Sequence, residues 1–313
     1  STALGSLTRA TRQFSTAVGN QAEATAEGAL AMGSVAKATG ESSVAIGRLA
    51  NATGAIAGEG GVGNGISAGD FLGAIAIGNQ AEAAHGVAIG YKAVGGALLS
   101  NGNRSRGTAV GHGAEATGNF SVALGERTTA TGTRSAALGV DASAAGERSV
   151  AFGVEANAKG TRSTAVGDTA DATHTQATAL GNSAKATADF ATAVGNQANA
   201  TRKQATALGN SAKATADFAT AVGNHAEATG VSALAMGSTA KANADSSVAL
   251  GRHSLADRAP GEAGYVPTGA DGAAIAATIG TYGAVSVGDP NRISDGASDP
   301  VFRQITGVAA GSE

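Results

Sequence analysis

Along most of the chain, apolar and polar positions alternate in short bursts that return at a fixed interval. The clearest burst is Ser43-Val44-Ala45-Ile46-Gly47: small residue, variable residue, Ala, aliphatic, Gly. Its glycine recurs at Gly5, Gly19, Gly33 and Gly47, then at Gly78, Gly90 and Gly111, and every fourteen residues from Gly125 to Gly251. Ala stands two before each of these glycines, from Ala3 to Ala249, and Leu, Val, Ile, Met or once Phe152 stands immediately before. A second alternation follows, with Ala three and five residues past the glycine around a polar residue, as in Ala22-Glu23-Ala24 and Ala184-Lys185-Ala186. Two bursts of period two per unit predict two short strands joined by two turns of Gly/Asn type.

A fourteen-residue unit of this kind is one coil of a β-solenoid, whose coils stack about 4.8 Å apart. The expected fold is therefore all-β, a single-chain parallel β-roll. Helix competes, because Ala favours it, but a Gly or Asn every few residues and the β-branched Thr and Val positions argue against it. All four prolines, Pro260, Pro267, Pro290 and Pro300, lie after the last regular coil, as expected where a proline would delete a ladder hydrogen bond. Residues Gln176 to Asn196 are repeated without change as Gln204 to Asn224, a duplication by whole coils that keeps the stacking register.

Three stretches break the period: Gly54 to Gly73, Gly95 to Gly107, and Arg252 to Tyr282. They read as loops or hairpins inserted at coil turns. The expected organisation is a head over 1–251, with inserts at about 48–73 and 91–106, a further insert at 252–283, and a terminal segment at 284–313.

Alternation also assigns faces. In the first strand Ser43 and Ala45 point one way and Val44 and Ile46 the other. With the Ala faces together as a thin interior, a stripe of larger residues faces outward: Leu4, Val18, Met32, Ile46, Leu124, Leu138, Val166, Val194, Val222 and Leu250. Such a ladder far exceeds the few hundred Å² of apolar patch that a monomer usually exposes, so it is expected to be an interface between chains. The opposite assignment, aliphatics inside and Ala outside, would give a fatter monomeric solenoid.

Composition agrees with a thin interior. The 313 residues include 48 Gly, no Trp and only 3% aromatics, and the 42% hydrophobic content is mostly Ala. A net charge of −3 gives no reason to expect a nucleic-acid partner. Absence of Cys excludes disulfides and thiolate metal sites. No window approaches the ~18 to 20 apolar residues of a membrane helix, and no signal peptide opens the chain. Because Ser1 begins a motif at its first position, the sequence reads as a piece of a longer protein.

Candidate chemistry is sparse. Gly58 to Gly65, GEGGVGNG, superficially resembles a phosphate loop, but no Lys-Ser/Thr follows and no strand-then-helix frame surrounds it. The five histidines, His85, His112, His174, His225 and His253, sit in separate coils without a carboxylate or second His at ligand spacing. Calcium-binding nonapeptides of GGxGxD type are missing. Neither a catalytic site, a metal nor a cofactor is expected, and so no enzyme. Two ladders stand out. Arg134, Arg148 and Arg162 occupy one coil position, forming either a solvated edge relieved by Glu126 and Glu147 or a contact for an acidic or sulfated ligand. Thr recurs six after the motif glycine, as at Thr25, Thr39, Thr187 and Thr215; stacked Thr suits ice binding, but charged neighbours and a turn position disfavour it.

SVAIG-type motifs every fourteen residues, AxATG-type second strands, and a close in VSVG (285–288) and RQITGVAAG (303–311) resemble the YadA-like head and neck of trimeric autotransporter adhesins of Gram-negative bacteria. The resemblance covers essentially the whole chain. It implies a left-handed parallel β-roll, three chains packed about one axis, and display at the bacterial cell surface above a coiled-coil stalk and an outer-membrane β-barrel farther along the protein. It also implies that Val285, Val287, Arg303, Gln304, Ile305, Thr306 and Val308 belong to a neck that interlocks the chains. The segment Asp289 to Phe302 is longer than is typical there, and Phe302 stands where a polar residue is common. The function implied is a non-enzymatic adhesin head that attaches to host extracellular matrix or a cell-surface receptor, or else a structural spacer displaying a more N-terminal adhesive domain.

Overall fold

A computed structural model of the chain describes residues 1–53, 73–97, 105–263, 266, 268–269, 271–276, 279–294 and 297–306. These fall into two compact units, Ser1–Thr169 and Ala170–Glu313.

In the first unit each coil contributes one longer and one shorter strand, and each kind stacks only on its own kind. Val44–Ile46 lies between Leu30–Met32 and Ile75–Ile77, all parallel, with Ala45 level with Ala31 and Ala76. Asn51–Ala52 lies likewise between Lys37–Ala38 and Glu82–Ala83. Adjacent coils therefore bond in register, and the alanines of the two sheets meet between them. Ala45, Ala50 and Ala52 are fully buried, as is Ser43. Among the described residues the largest fully buried side chains are Thr128 and a set of serines, with no Val, Leu, Ile or Phe. The interior is thus a layer of methyl and hydroxymethyl groups, and the fatter solenoid with aliphatics inside is ruled out for the single chain. At some coils where the inward position is Ser, its hydroxyl closes the preceding turn: Ser43 Oγ donates to Gly40 O at 2.6 Å and Ser149 Oγ to Gly146 O at 2.7 Å, whereas the hydroxyls of Ser135 and Ser163 are buried without a partner.

The turns differ from the Gly/Asn type read from the sequence. The motif glycine is needed, but not for a left-handed helical conformation: Gly47 has φ 130°, and a Cβ there would stand 2.5 Å from Gly78 O in the next coil. The left-handed positions come two residues later and again at the second corner, and they hold ordinary side chains, for example Leu49 (φ 58°), Ser42 (φ 52°) and Arg134 (φ 57°). Each such residue costs about 1 kcal/mol or more locally. The cost is offset because its N–H is aimed at the coil before: Leu49 N–H donates to Ser34 O at 2.9 Å and Ser42 N–H to Glu27 O at 2.8 Å.

The insertions are narrower than the sequence suggested. Asn51–Ala52, Val94–Gly95 and Gly107–Val110 are ordinary coil strands. The excess length of the first two insertions falls within 54–72 and 98–104, outside the described residues. The GEGGVGNG stretch lies there too.

The second unit repeats the plan. Thr192–Val194 is flanked in parallel by Thr178–Leu180 and Thr206–Leu208, and Asn199–Ala200 by Lys185–Ala186 and Lys213–Ala214. At one corner an asparagine ladder joins successive coils, Asn196 to Asn182, Asn210 to Asn196 and Asn224 to Asn210, at 3.1 to 3.2 Å. The coils run past the expected boundary at 251: Leu255–Ala256 pairs with Lys241–Ala242. The chain then departs, forms a short exposed helix at Gly272–Ala276, and returns to lay Val285–Ser286 on Val248–Ala249 as one more longer strand. Like the other two insertions, this one leaves after a completed shorter strand.

Candidate functional site

The feature that could act on another molecule is the outward side of the longer strands. In the first unit Leu4 is 66% exposed, Met32 and Leu124 are exposed, and Val18, Ile46, Leu138 and Val166 are half-buried by their stacked neighbours alone. In the second unit Val194 and Val222 are half-buried and Leu250 is exposed. All belong to the strand side opposite the buried alanines. The stripe is widest at Val150, Phe152 and Val154, with Phe152 54% exposed. Val140 and Val154 extend it at the position just past the motif glycine, which the spacing argument did not single out. Their signal was an aliphatic residue where most other coils carry Asn, Asp or Ser and the rest Arg, Glu, His or Tyr.

The three arginines of the ladder, Arg134, Arg148 and Arg162, are exposed at the second corner, each in the left-handed conformation. Arg148 Nε lies 3.6 Å from Glu147, while Arg127, at the first corner, holds Asp141 with two bonds of 2.8 and 2.6 Å and also reaches Glu126 at 2.5 Å. The hydrogen bonds from Arg127 hold the Asp141 carboxyl below the usual carboxylate range. Glu126 is thus spent on Arg127, not on the ladder. The stacked Thr positions form no common face with a regular acceptor: Thr11 Oγ1 reaches Thr25 O only at 3.5 Å, and Thr229 Oγ1 bonds Asn243 at 3.2 Å.

At the end of the second unit, Val285 is exposed beside its strand partner, and Val287, Ser254 and Arg252 converge on one side chain, Arg303. Its guanidinium donates to Arg252 O at 2.5 Å, to Ser254 Oγ at 3.1 Å and to Val287 O. Arg303 thus satisfies acceptors that the last coil would otherwise leave open, a role the sequence could not show across a separation of 49 positions. Gln304, Ile305, Thr306 and Phe302 are exposed, and Val308 lies outside the described residues. Among the described residues no three His, Asp or Glu side chains gather as metal ligands, and no helix is long and apolar enough to cross a membrane.

His253 sits in this end corner, against Thr239. Burial, with Arg292, Arg252 and Arg303 nearby and only Asp299 opposing, holds its pKa below the ordinary value. A depressed histidine stabilises fully above the unfolded value of about 6.5 and loses that contribution as pH falls through the lower folded value. Amide exchange in residues 252–256 is therefore expected to rise below about pH 6.5 ahead of the central coils, and His253→Gln should abolish the difference.

Residues 1–22, 24–50, 105–127, 130–156, 145–170, 158–184, 172–198, 200–226 and 228–254 match the family described as YadA head domain repeat (2 copies). The chain belongs to the YadA-like heads of trimeric autotransporter adhesins. Within this YadA-like head, a 62-residue stretch is 53% identical to the trimeric autotransporter adhesin AtaA of Acinetobacter sp. (strain Tol 5); it covers 19% of this chain and only 2% of that protein. A crystal structure of the collagen-binding domain of the Yersinia adhesin YadA matches with 20% identity over 77% of this chain and 74% of that one, at a TM-score of 0.20. The matched repeats coincide with the coils: each span takes in the longer strands, the shorter strands and their corners.

Proposed function

We propose that this YadA-like head is a non-enzymatic adhesin head that assembles as a homotrimer through the outward side of its longer strands and attaches the bacterial surface to host extracellular matrix or cells. The observation that carries the reading is the apolar stripe that each unit bears on coils whose interior is already complete without it. Each aliphatic covered by a neighbouring chain would contribute roughly 1.5 to 3 kcal/mol, repeated coil after coil. Three equivalent faces on one particle, and many particles on one cell, multiply a weak contact into firm attachment. In this reading the head runs through Leu255–Ala256, the insert follows it up to residue 283, and residues 284–313, which begin with one more longer strand, are a neck; the outer-membrane anchor belongs to another part of the protein.

A second reading, a spacer that displays an adhesive domain N-terminal to Ser1, draws support from the unchanged duplication of Gln176 to Asn196 at Gln204 to Asn224, since copying whole coils changes length and little else. Two results separate them. Purified chain applied to collagen, fibronectin, laminin and cultured cells binds at least one surface if it is the head, and none if it is a spacer. In the full-length protein, deletion of residues 174–201 removes two coils in register; a spacer keeps full binding, whereas a head that binds through this region loses it.

A further inference from the structure

The apolar stripe is framed by unlike charges. In the coil beginning at Arg134 the exposed edge reads Arg134, then Ala136, Leu138 and Val140 outward, then Asp141; the next coil repeats it as Arg148, Val150, Phe152, Val154 and Glu155. The basic residue sits at the left-handed position before each longer strand and the acidic residue at the left-handed position after it. Six residues of largely extended chain lie between them, a span of about 20 Å, so they cannot pair within one chain. Arg127 already holds Asp141, and Glu147 stands beside Arg148, but among the described residues no charged partner is seen for the Glu155 side chain.

A second copy rotated about an axis parallel to the coil stack undergoes no shift along it. Every coil then lies level with the same coil of its neighbour, and the arginine edge of one stripe meets the acidic edge of the next. A copy turned end for end instead sets arginine against arginine and carboxylate against carboxylate. From this geometry, and resting on the trimer reading above, we propose that Arg148 of one chain pairs with Glu155 of the next, while Arg134 joins the Arg127–Asp141 pair of the next, and that these contacts fix the parallel, coil-for-coil register of the trimer. The apolar stripe sets register only weakly, because an aliphatic recurs at the same place in almost every coil, with Phe152 the exception, and a slip by one coil would still set apolar residues against apolar residues. Charge supplies what the repeat lacks, as it does at the flanks of coiled-coil seams.

The test uses the whole chain, which lacks cysteine. Arg148→Cys with Glu155→Cys is expected to give covalent trimers under mild oxidation, whereas Arg148→Cys with Thr169→Cys, one coil out of step, gives at least tenfold less. Arg148→Glu should raise trimer dissociation about tenfold at low salt, since three exposed to partly covered pairs are lost at once, and the effect should shrink at high salt. Adding Glu155→Arg to it should restore the trimer, and the swapped chain should exclude the wild-type chain from mixed trimers. Equal cross-linking from the two cysteine pairs, or a swap no better than Arg148→Glu alone, overturns the proposal. If the variants trimerise normally but lose binding to a sulfated polysaccharide such as heparin, the ladder is a ligand contact instead. A wild-type chain that sediments as a monomer would sink the trimer reading itself, a distinguishable failure.

Discussion

Replacing Ile46, Leu124 and Val194 together with aspartate is expected to leave a folded chain that no longer trimerises. The three side chains lie on the outward side of the longer strands, opposite Ala45, Ala123 and Ala193, all fully buried. Aspartate there meets water in the single chain, so the interior and the ladder hydrogen bonds of the coils are untouched. In a trimer each substitution is repeated three times, and each removes roughly 1.5 to 3 kcal/mol of apolar burial and adds a carboxylate with no partner across the seam. Sedimentation should show the mass of one chain, with a far-UV spectrum still of β type. A trimer that survives places the seam elsewhere on the roll.

Enlarging the interior should have the opposite signature, loss of fold before loss of assembly. Ala137 is fully buried between Ala123 and Ala151 in the stack and beside the shorter strand Ser143–Ala144, whose flanking Ala142 and Ala144 are equally buried. Overpacking an ordinary core costs about 1 to 3 kcal/mol because neighbours shift. Here the neighbours are methyl groups on backbones held by two parallel ladders, so Ala137→Leu is expected to exceed about 3 kcal/mol and to open coils on both sides. Ala137→Ser is the control and should be tolerated, because Ser286 occupies the equivalent place level with Ala249. Urea melts distinguish the two, and an unchanged midpoint for the leucine variant would mean that the two sheets stand farther apart than a methyl layer allows.

What the sequence made legible is what period and alternation encode. The invariant Ala and the aliphatic beside it fixed the strand, its faces and the stacking, since side chains two apart must share a face. The turns were not legible, because left-handed residues are recognised by Gly or Asn, and here Leu49, Arg134 and Phe218 take that conformation under the pull of hydrogen bonds to the previous coil. Insert boundaries were drawn too wide for a related reason: Val94–Gly95 and Leu255–Ala256 depart from the Ala-polar-Ala pattern yet are held as strands by the coils beside them. Arg303 was assigned to the neck by likeness, while its bonds to Arg252 and Ser254 depend on a chain reversal that no local pattern announces. Asp141 and Glu155 went unnoticed because each lies seven residues from its arginine, a distance that has meaning only when a second chain is beside the first.

If the apolar stripe makes this head a trimer, as proposed above, its adhesion is multivalent. The most direct measurement compares the wild-type chain with the Ile46, Leu124 and Val194 aspartate variant on the same matrix-coated surface, at equal concentration of chains. The account predicts that the wild-type trimer is retained with an apparent affinity at least about a hundredfold higher than the monomeric variant. Equal retention of the two, with the variant shown to be monomeric, would contradict it.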